Sequence, residues 1–244
     1  MHALAPVRPE VPTTNRCPGS LVNRHQPLWP HTMSHPQHYF ATVAQKWDEL
    51  RAGFFTEAMR DDAIARASLP TNAVVADVGA GTGFVLQGLL SHAHRLVGFD
   101  ASAAMLDVAR ANLASYPHVE LYQADGEALP ADASTFDAVF ANMYLHHVPD
   151  PARAISEMVR ILKPGGRLVI TDLDAHDQEW MRREMADHWL GFPRENVRHW
   201  FQAAGLQDVI VQDAAGACVS NSPANEGISL SVFLALGTKR SDSA

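Results

Sequence analysis

The stretch Ala-Val-Val-Ala-Asp-Val-Gly-Ala-Gly-Thr-Gly-Phe at residues 73–84 constrains this chain more than any other. Val74, Val75 and Val78 are β-branched and give a short buried strand. Gly79, Gly81 and Gly83 then let the backbone turn sharply and approach a ligand with no Cβ in the way. Residues 84–93 are apolar enough for a helix whose first amides point back over the loop. Strand, glycine loop and helix together suit part of a nucleotide-like molecule. The spacing is Gly-x-Gly-x-Gly, and Phe84 stands where the dinucleotide fingerprint needs its third glycine.

The rest of the chain repeats the same grammar. A second strand at residues 95–99 ends in Asp100, placed like the acidic residue that accepts ribose hydroxyls in adenosine-bearing cofactors. Ser102 is a good N-cap for a helix over 103–114, with Met105 and Leu106 on its first turn. A third strand, 119–124, delivers Asp125 and Gly126. A fourth, 136–141, delivers Asn142 and the run Met-Tyr-Leu-His-His-Val-Pro-Asp-Pro. Asp150 caps a helix carrying Ala154, Ile155, Met158, Val159 and Leu162 on one face, and Lys163-Pro164-Gly165-Gly166 stops it before a fifth strand, 167–171. Beyond stand Asp172, Asp174 and His176, a helix predicted over 177–190, a helix over 194–204, a strand at 208–212, a polar linker and a last strand at 228–236.

Alternating strands and helices with helix-length connections require a mostly parallel sheet covered on both faces, and right-handed crossovers bring Gly79, Asp100, Asp125 and Asn142 to one edge. Ahead of it, residues 1–33 hold six prolines without apolar periodicity and read as a mobile tail; residues 34–240 read as a single domain. Tyr39, Val43 and Trp47, with Phe40 and Ala44 beside them, form a helical stripe within residues 34–70.

Residues 73–84 resemble the first motif of class I S-adenosylmethionine-dependent methyltransferases, and the likeness runs through three more motifs over roughly residues 70–175. The 142–151 run is typical of small-molecule members, including quinone-precursor and arsenite methyltransferases. The resemblance implies a Rossmann-like, doubly wound α/β fold with a mostly parallel seven-stranded sheet and an antiparallel last strand closing its edge. It implies S-adenosylmethionine as cofactor and a small-molecule methyl acceptor. Gly79, Ala80 and Gly81 would lie under the methionine part, with Asp77 holding its amino group. Asp100 would meet the ribose, Met105 the adenine face and Asp125 the adenine amino edge, with Ala101, Gly126 and Asn142 also among the cofactor-binding residues. The N-terminal helices would close over the cofactor as a lid, Tyr39, Trp47, Phe54 and Phe55 walling the pocket.

Composition limits the acceptor. A formal net charge of −8 argues against a general attraction to phosphate backbones, so nucleic acid is a poor substrate. Cys17 and Cys218 alone cannot make a cysteine-based metal cluster or a disulfide framework, and they cannot supply the several thiolates an arsenite route needs. A reducing, cytoplasmic setting is the default, and no apolar run has the length of a membrane span. His25, His31, His35 and His38 lack fixed backbone or acidic partners and read as solvated, so no metal is expected. If the acceptor must lose a proton, His147 and His176 are the expected catalytic bases, with Tyr144, His146 and Asp172 shaping the acceptor pocket. A nicotinamide-dependent oxidoreductase and a non-catalytic cofactor-binding module are the alternatives. No tyrosine has a lysine four residues later, which removes one familiar hydride-transfer arrangement.

Overall fold

The computed structural model describes residues 36–52, 54–222 and 225–241, so the tail and His25, His31 and His35 lie outside the described residues. The chain opens with α1 (Pro36–Val43), a 3₁₀ turn (Ala44–Lys46), α2 (Trp47–Arg51) and α3 (Glu57–Ala67). There follow β1 (Ala73–Val78), α4 (Phe84–Leu89), β2 (Ala93–Asp100), α5 (Ala103–Asn112), β3 (Val119–Gln123) and β4 (Phe136–Asn142). A 3₁₀ turn (Leu145–His147) leads to α6 (Pro151–Ile161), β5 (Leu162–Leu173), α7 (Trp180–Glu184), α8 (Arg194–Ala203), β6 (Leu206–Ser222) and β7 (Asn225–Lys239).

The seven strands form one sheet in the order β3-β2-β1-β4-β5-β7-β6. β1 is paired in parallel with β2 on one side and β4 on the other. The strand order reverses between them, and this switch point opens a crevice outside the carboxyl ends of β1 and β4. Alternation along the strands divides the core. Val75, Ala138, Phe140 and Val169 pack with Met59, Ile64 and Leu89 on one face. Ala76, Val139, Leu168 and Ile170 pack with Ile155, Met158 and Phe201 on the other. Burial on both faces explains why these strands read as continuous apolar runs. Asp137 belongs to the scaffold: it accepts from the Val74 amide at 2.8 Å and meets Lys163 Nζ at 2.9 Å, tying β4 to β1 and β5.

Several expected boundaries move. The helix over 177–190 is only α7, five residues long. β5 begins at Leu162, so Lys163-Pro164-Gly165-Gly166 is the irregular start of the strand, with a register shift opposite Phe136 and Ala138. The expected linker before the last strand is instead hairpin, paired as far as Ser222 with Asn225, because a backbone ladder needs no apolar periodicity. β7 is antiparallel to both neighbours, as expected, but lies inside the sheet, and β6 forms the edge. Among the described residues, no helix is long and apolar enough to cross a membrane.

Candidate functional site

A cavity of about 400 Å³ lies at the switch point, lined by the ends of β1, β2 and β4 and by residues of α1 and α2. That size falls in the usual range for small-molecule sites. Gly79, Gly81 and Gly83 all have positive φ, but only one of the three faces open cavity. A Cβ on Gly81 (φ +53) would meet only Trp47 Nε1, at 3.8 Å, whereas one on Gly79 would overlap the Tyr144 ring and one on Gly83 would press on Leu113. The Tyr144 hydroxyl likewise fills the place of a Cβ on Gly126. Gly79 and Gly126 are therefore small to seat Tyr144, and Gly81 is the position where backbone and ligand approach.

Two buried ionisable side chains, one acidic and one basic, line this cavity with polar atoms that have no hydrogen-bond partner among the described residues. The Asp77 carboxylate at the end of β1 is 1 % exposed, and neither oxygen is partnered. Burial, with the Asp100 charge beside it, pushes its pKa up to about 8. Arg51, the last residue of α2, is buried with Nε and Nη1 unpartnered by hydrogen bonds. It stands 3.6 Å from Asp48 and 3.9 Å from the Phe84 ring centre, so the aromatic at the third-glycine place supports a guanidinium.

Asp100 accepts the Gly81 amide on one oxygen and the Ser102 amide on the other, both at 2.8 Å. Burial raises its pKa against those two bonds, and each oxygen keeps a lone pair for a ligand hydroxyl. Ala80, Ala101, Met105, Asp125 and Asn142 also line the cavity. Asp125 accepts from the Glu127 amide at 3.0 Å, and Asn142 Oδ1 is anchored by the Thr171 hydroxyl at 2.6 Å. The helix α2 is latched to the glycine loop. Asp48 accepts from Thr82 Oγ1 at 2.6 Å and from Asn112 Nδ2 at 3.1 Å.

Not every expected site residue reaches the cavity. Tyr39 turns away and donates to Met185 Sδ at 3.5 Å, and Phe40, one residue and about 100° further round the helix, takes its place. Phe55 lines the cavity and Phe54 packs on the core. Tyr144 and His147 are in the wall, but His146, Asp172 and His176 are not. Asp172 is fully buried, with its oxygens committed to His146 Nδ1 at 2.6 Å and the Leu145 amide at 2.8 Å. Burial alone would lower the His146 pKa, but the Asp172 and Asp187 carboxylates raise it to about 9. His147 is pushed well below its usual value by burial and by the His146 charge, so it is neutral. His176 is lowered by the same two causes and accepts from the Gln178 amide at 3.2 Å.

Arg51, Phe40 and His188 are cavity residues that the sequence left unassigned. Arg51 had a signal, four residues after Trp47 on the same helical stripe. His188 had none, because the irregular segment after α7 brings it there, its amide bonded to the His146 carbonyl at 2.8 Å.

Comparison with known proteins agrees with this geometry. The family model described as a methyltransferase domain matches residues 76–170, from β1 to β5. The 2-methyl-6-phytyl-1,4-hydroquinone methyltransferase 1 of Oryza sativa subsp. japonica is 37% identical over 167 residues, 67% of this chain and 50% of that protein. The 2-phytyl-1,4-naphtoquinone methyltransferase of Thermosynechococcus vestitus is 32% identical over 152 residues, 60% of this chain and 67% of that protein. The chain thus spans about half the length of the rice relative and two thirds of the cyanobacterial one. Among solved structures, the Haemonchus contortus phosphoethanolamine N-methyltransferase 2 shares the fold with a TM-score of 0.68 at 15% identity, over 87% of this chain and 61% of that one. A family model spanning the strands that carry the cavity, and relatives above 30% identity, lead to one conclusion: the chain belongs to the class I S-adenosylmethionine-dependent methyltransferases.

Proposed function

We propose that this chain transfers a methyl group from S-adenosylmethionine to a small aromatic acceptor of the hydroquinone or quinone type. The observation that carries the reading is the pair Arg51 and Asp77, a basic and an acidic side chain lining one cavity, whose Nε, Nη1 and two carboxyl oxygens are buried without hydrogen-bond partners among the described residues. An α-amino acid end has a carboxylate for the first and an ammonium for the second. Each buried charge is costly alone and favourable once paired.

When bound, the cofactor supplies a methyl group on a sulfonium. The chain's own residues do the rest. Asp77 and Arg51 would hold the methionine end, Asp100 the ribose hydroxyls, and Met105 and Asp125 the adenine. Phe40, Trp47 and Phe55 exclude water beneath the lid, and alignment of donor and acceptor can lower the barrier by about 7–11 kcal/mol. Met143, Val148 and Pro149 supply apolar wall, and Tyr144, neutral His147 and His188 offer polar groups to acceptor oxygens. Relatives named for phytyl-hydroquinone, demethylmenaquinone and phytyl-naphtoquinone methylation support such an acceptor.

Calorimetry with S-adenosylmethionine and NADPH, followed by mass spectrometric detection of S-adenosylhomocysteine with a prenylated hydroquinone, tests this. Binding of the first cofactor alone is expected, weakened at least tenfold in Arg51→Gln. Binding of NADPH alone, or unchanged affinity in that variant, would overturn the reading.

A further inference from the structure

His146 and His147 are consecutive in a 3₁₀ turn, yet their rings lie side by side, with centres 4.0 Å apart. Asp187 reaches them from the irregular segment after α7. Ala186 before it has φ +59, a left-handed conformation that a non-glycine residue keeps only where its surroundings hold it. The Asp187 side chain is 1 % exposed, and Oδ1 lies 3.9 Å from His146 Nε2 and 3.8 Å from His147 Nδ1. Those separations are too long for hydrogen bonds. Oδ2 has no partner among the described residues. A buried carboxylate and two imidazole nitrogens therefore face one another across a gap the width of one atom, all within 4.8 Å.

The surroundings match a cation in that gap. Asp172 holds His146 Nδ1 at 2.6 Å and is itself held by the Leu145 and Leu173 amides, which frees Nε2 to face Asp187. A carboxylate behind an imidazole is the usual support of a metal-ligating histidine. We propose that His146 Nε2, His147 Nδ1 and Asp187 bind one divalent transition-metal ion of the zinc class. Two imidazoles and a carboxylate suit that class, and ligand distances of about 2.0–2.2 Å put tetrahedral ligand atoms about 3.3–3.6 Å apart, so the 3.9 and 3.8 Å separations from Asp187 Oδ1 close by a few tenths of an ångström. The contact of His147 Nδ1 with the Ala186 carbonyl, 3.3 Å, is given up when that nitrogen turns its lone pair to the ion.

Three protein ligands leave a coordination position open, the pattern of a working rather than a structural site. His147 is also in the cavity wall.

The full chain, stripped with a chelator, is titrated with Zn²⁺ by calorimetry and with Co²⁺ by visible absorption, without cofactor or acceptor. One equivalent of Zn²⁺ and the intense bands of four-coordinate cobalt are expected. Asp187→Asn should weaken Zn²⁺ at least tenfold while retaining a cooperative melt and S-adenosylmethionine affinity, and His147→Gln should weaken Zn²⁺ at least tenfold while retaining a cooperative melt. Absence of cobalt bands in the unaltered chain, or equal Zn²⁺ binding in both variants, overturns the metal site. Stoichiometric metal binding without binding of S-adenosylmethionine overturns the methyltransferase reading instead.

Discussion

Asp77→Asn separates what the site costs the fold from what it gives the ligand. The carboxyl pKa is about 8 in the fold against 3.8 for an ordinary aspartate. Because the folded value is raised, its contribution is neutral below about pH 4, where both states are protonated. Stability is then lost as pH rises, since the unfolded chain ionises while the folded chain must hold the proton, and the loss is complete above about pH 8. A difference of about four units at 1.36 kcal/mol each gives a penalty of about 5 kcal/mol at alkaline pH. The neutral amide has no such slope, although its own unpartnered groups cost about 1–3 kcal/mol at every pH. Urea unfolding of both proteins without cofactor, at pH 5, 6.5 and 8, should show the variant gaining on the unaltered chain by about 3–4 kcal/mol across that range. Titrating groups away from Asp77 cancel in the difference. At pH 8, S-adenosylmethionine should stabilise the variant less, by about 1.5–3 kcal/mol, for loss of a charge-assisted contact to the ammonium. Parallel stability profiles would refute the reasoning, because the carboxylate would then be ionised and satisfied without a ligand.

Gly81→Val should abolish cofactor binding while the ligand-free protein still melts cooperatively, since φ +53 is strained for valine but the Cβ meets no atom nearer than Trp47 Nε1 at 3.8 Å; a stability loss of about 1–3 kcal/mol is expected, and normal calorimetric binding would mean the loop is only a turn. Asp100→Ala removes the carboxylate that takes the Gly81 and Ser102 amides, and its dissociation constant for S-adenosylmethionine should rise about ten- to hundredfold. Unchanged affinity by calorimetry would sink that role. Asp48→Ala frees α2 from Thr82 and Asn112, so cofactor release in stopped flow should quicken about tenfold, whereas an unaltered off-rate would show that the lid closes without its latch.

The sheet was legible in the sequence because its determinants are local. Runs of β-branched and apolar residues between glycine and acidic punctuation mark the strands, and Ser102 and Asp150 cap their helices as their side chains dictate, accepting from the Met105 and Arg153 amides. Gly79, Asp100, Asp125 and Asn142 reach one edge because parallel strands with right-handed crossovers leave them no other place. Tertiary structure decided which neighbour in a pair faces inward. Tyr39 and Phe40 are both aromatic, and only the seating of α1 chose Phe40 for the cavity. His146 and His147 are chemically identical in the sequence. Asp172, brought from β5, locks the first beneath the wall and leaves the second in it. Asp187 and His188 depend on a segment with no periodicity, held by the His146 carbonyl and a left-handed Ala186. Periodicity reports which face of an element is apolar; which side chain meets a ligand depends on rotations and long-range partners that no local pattern encodes.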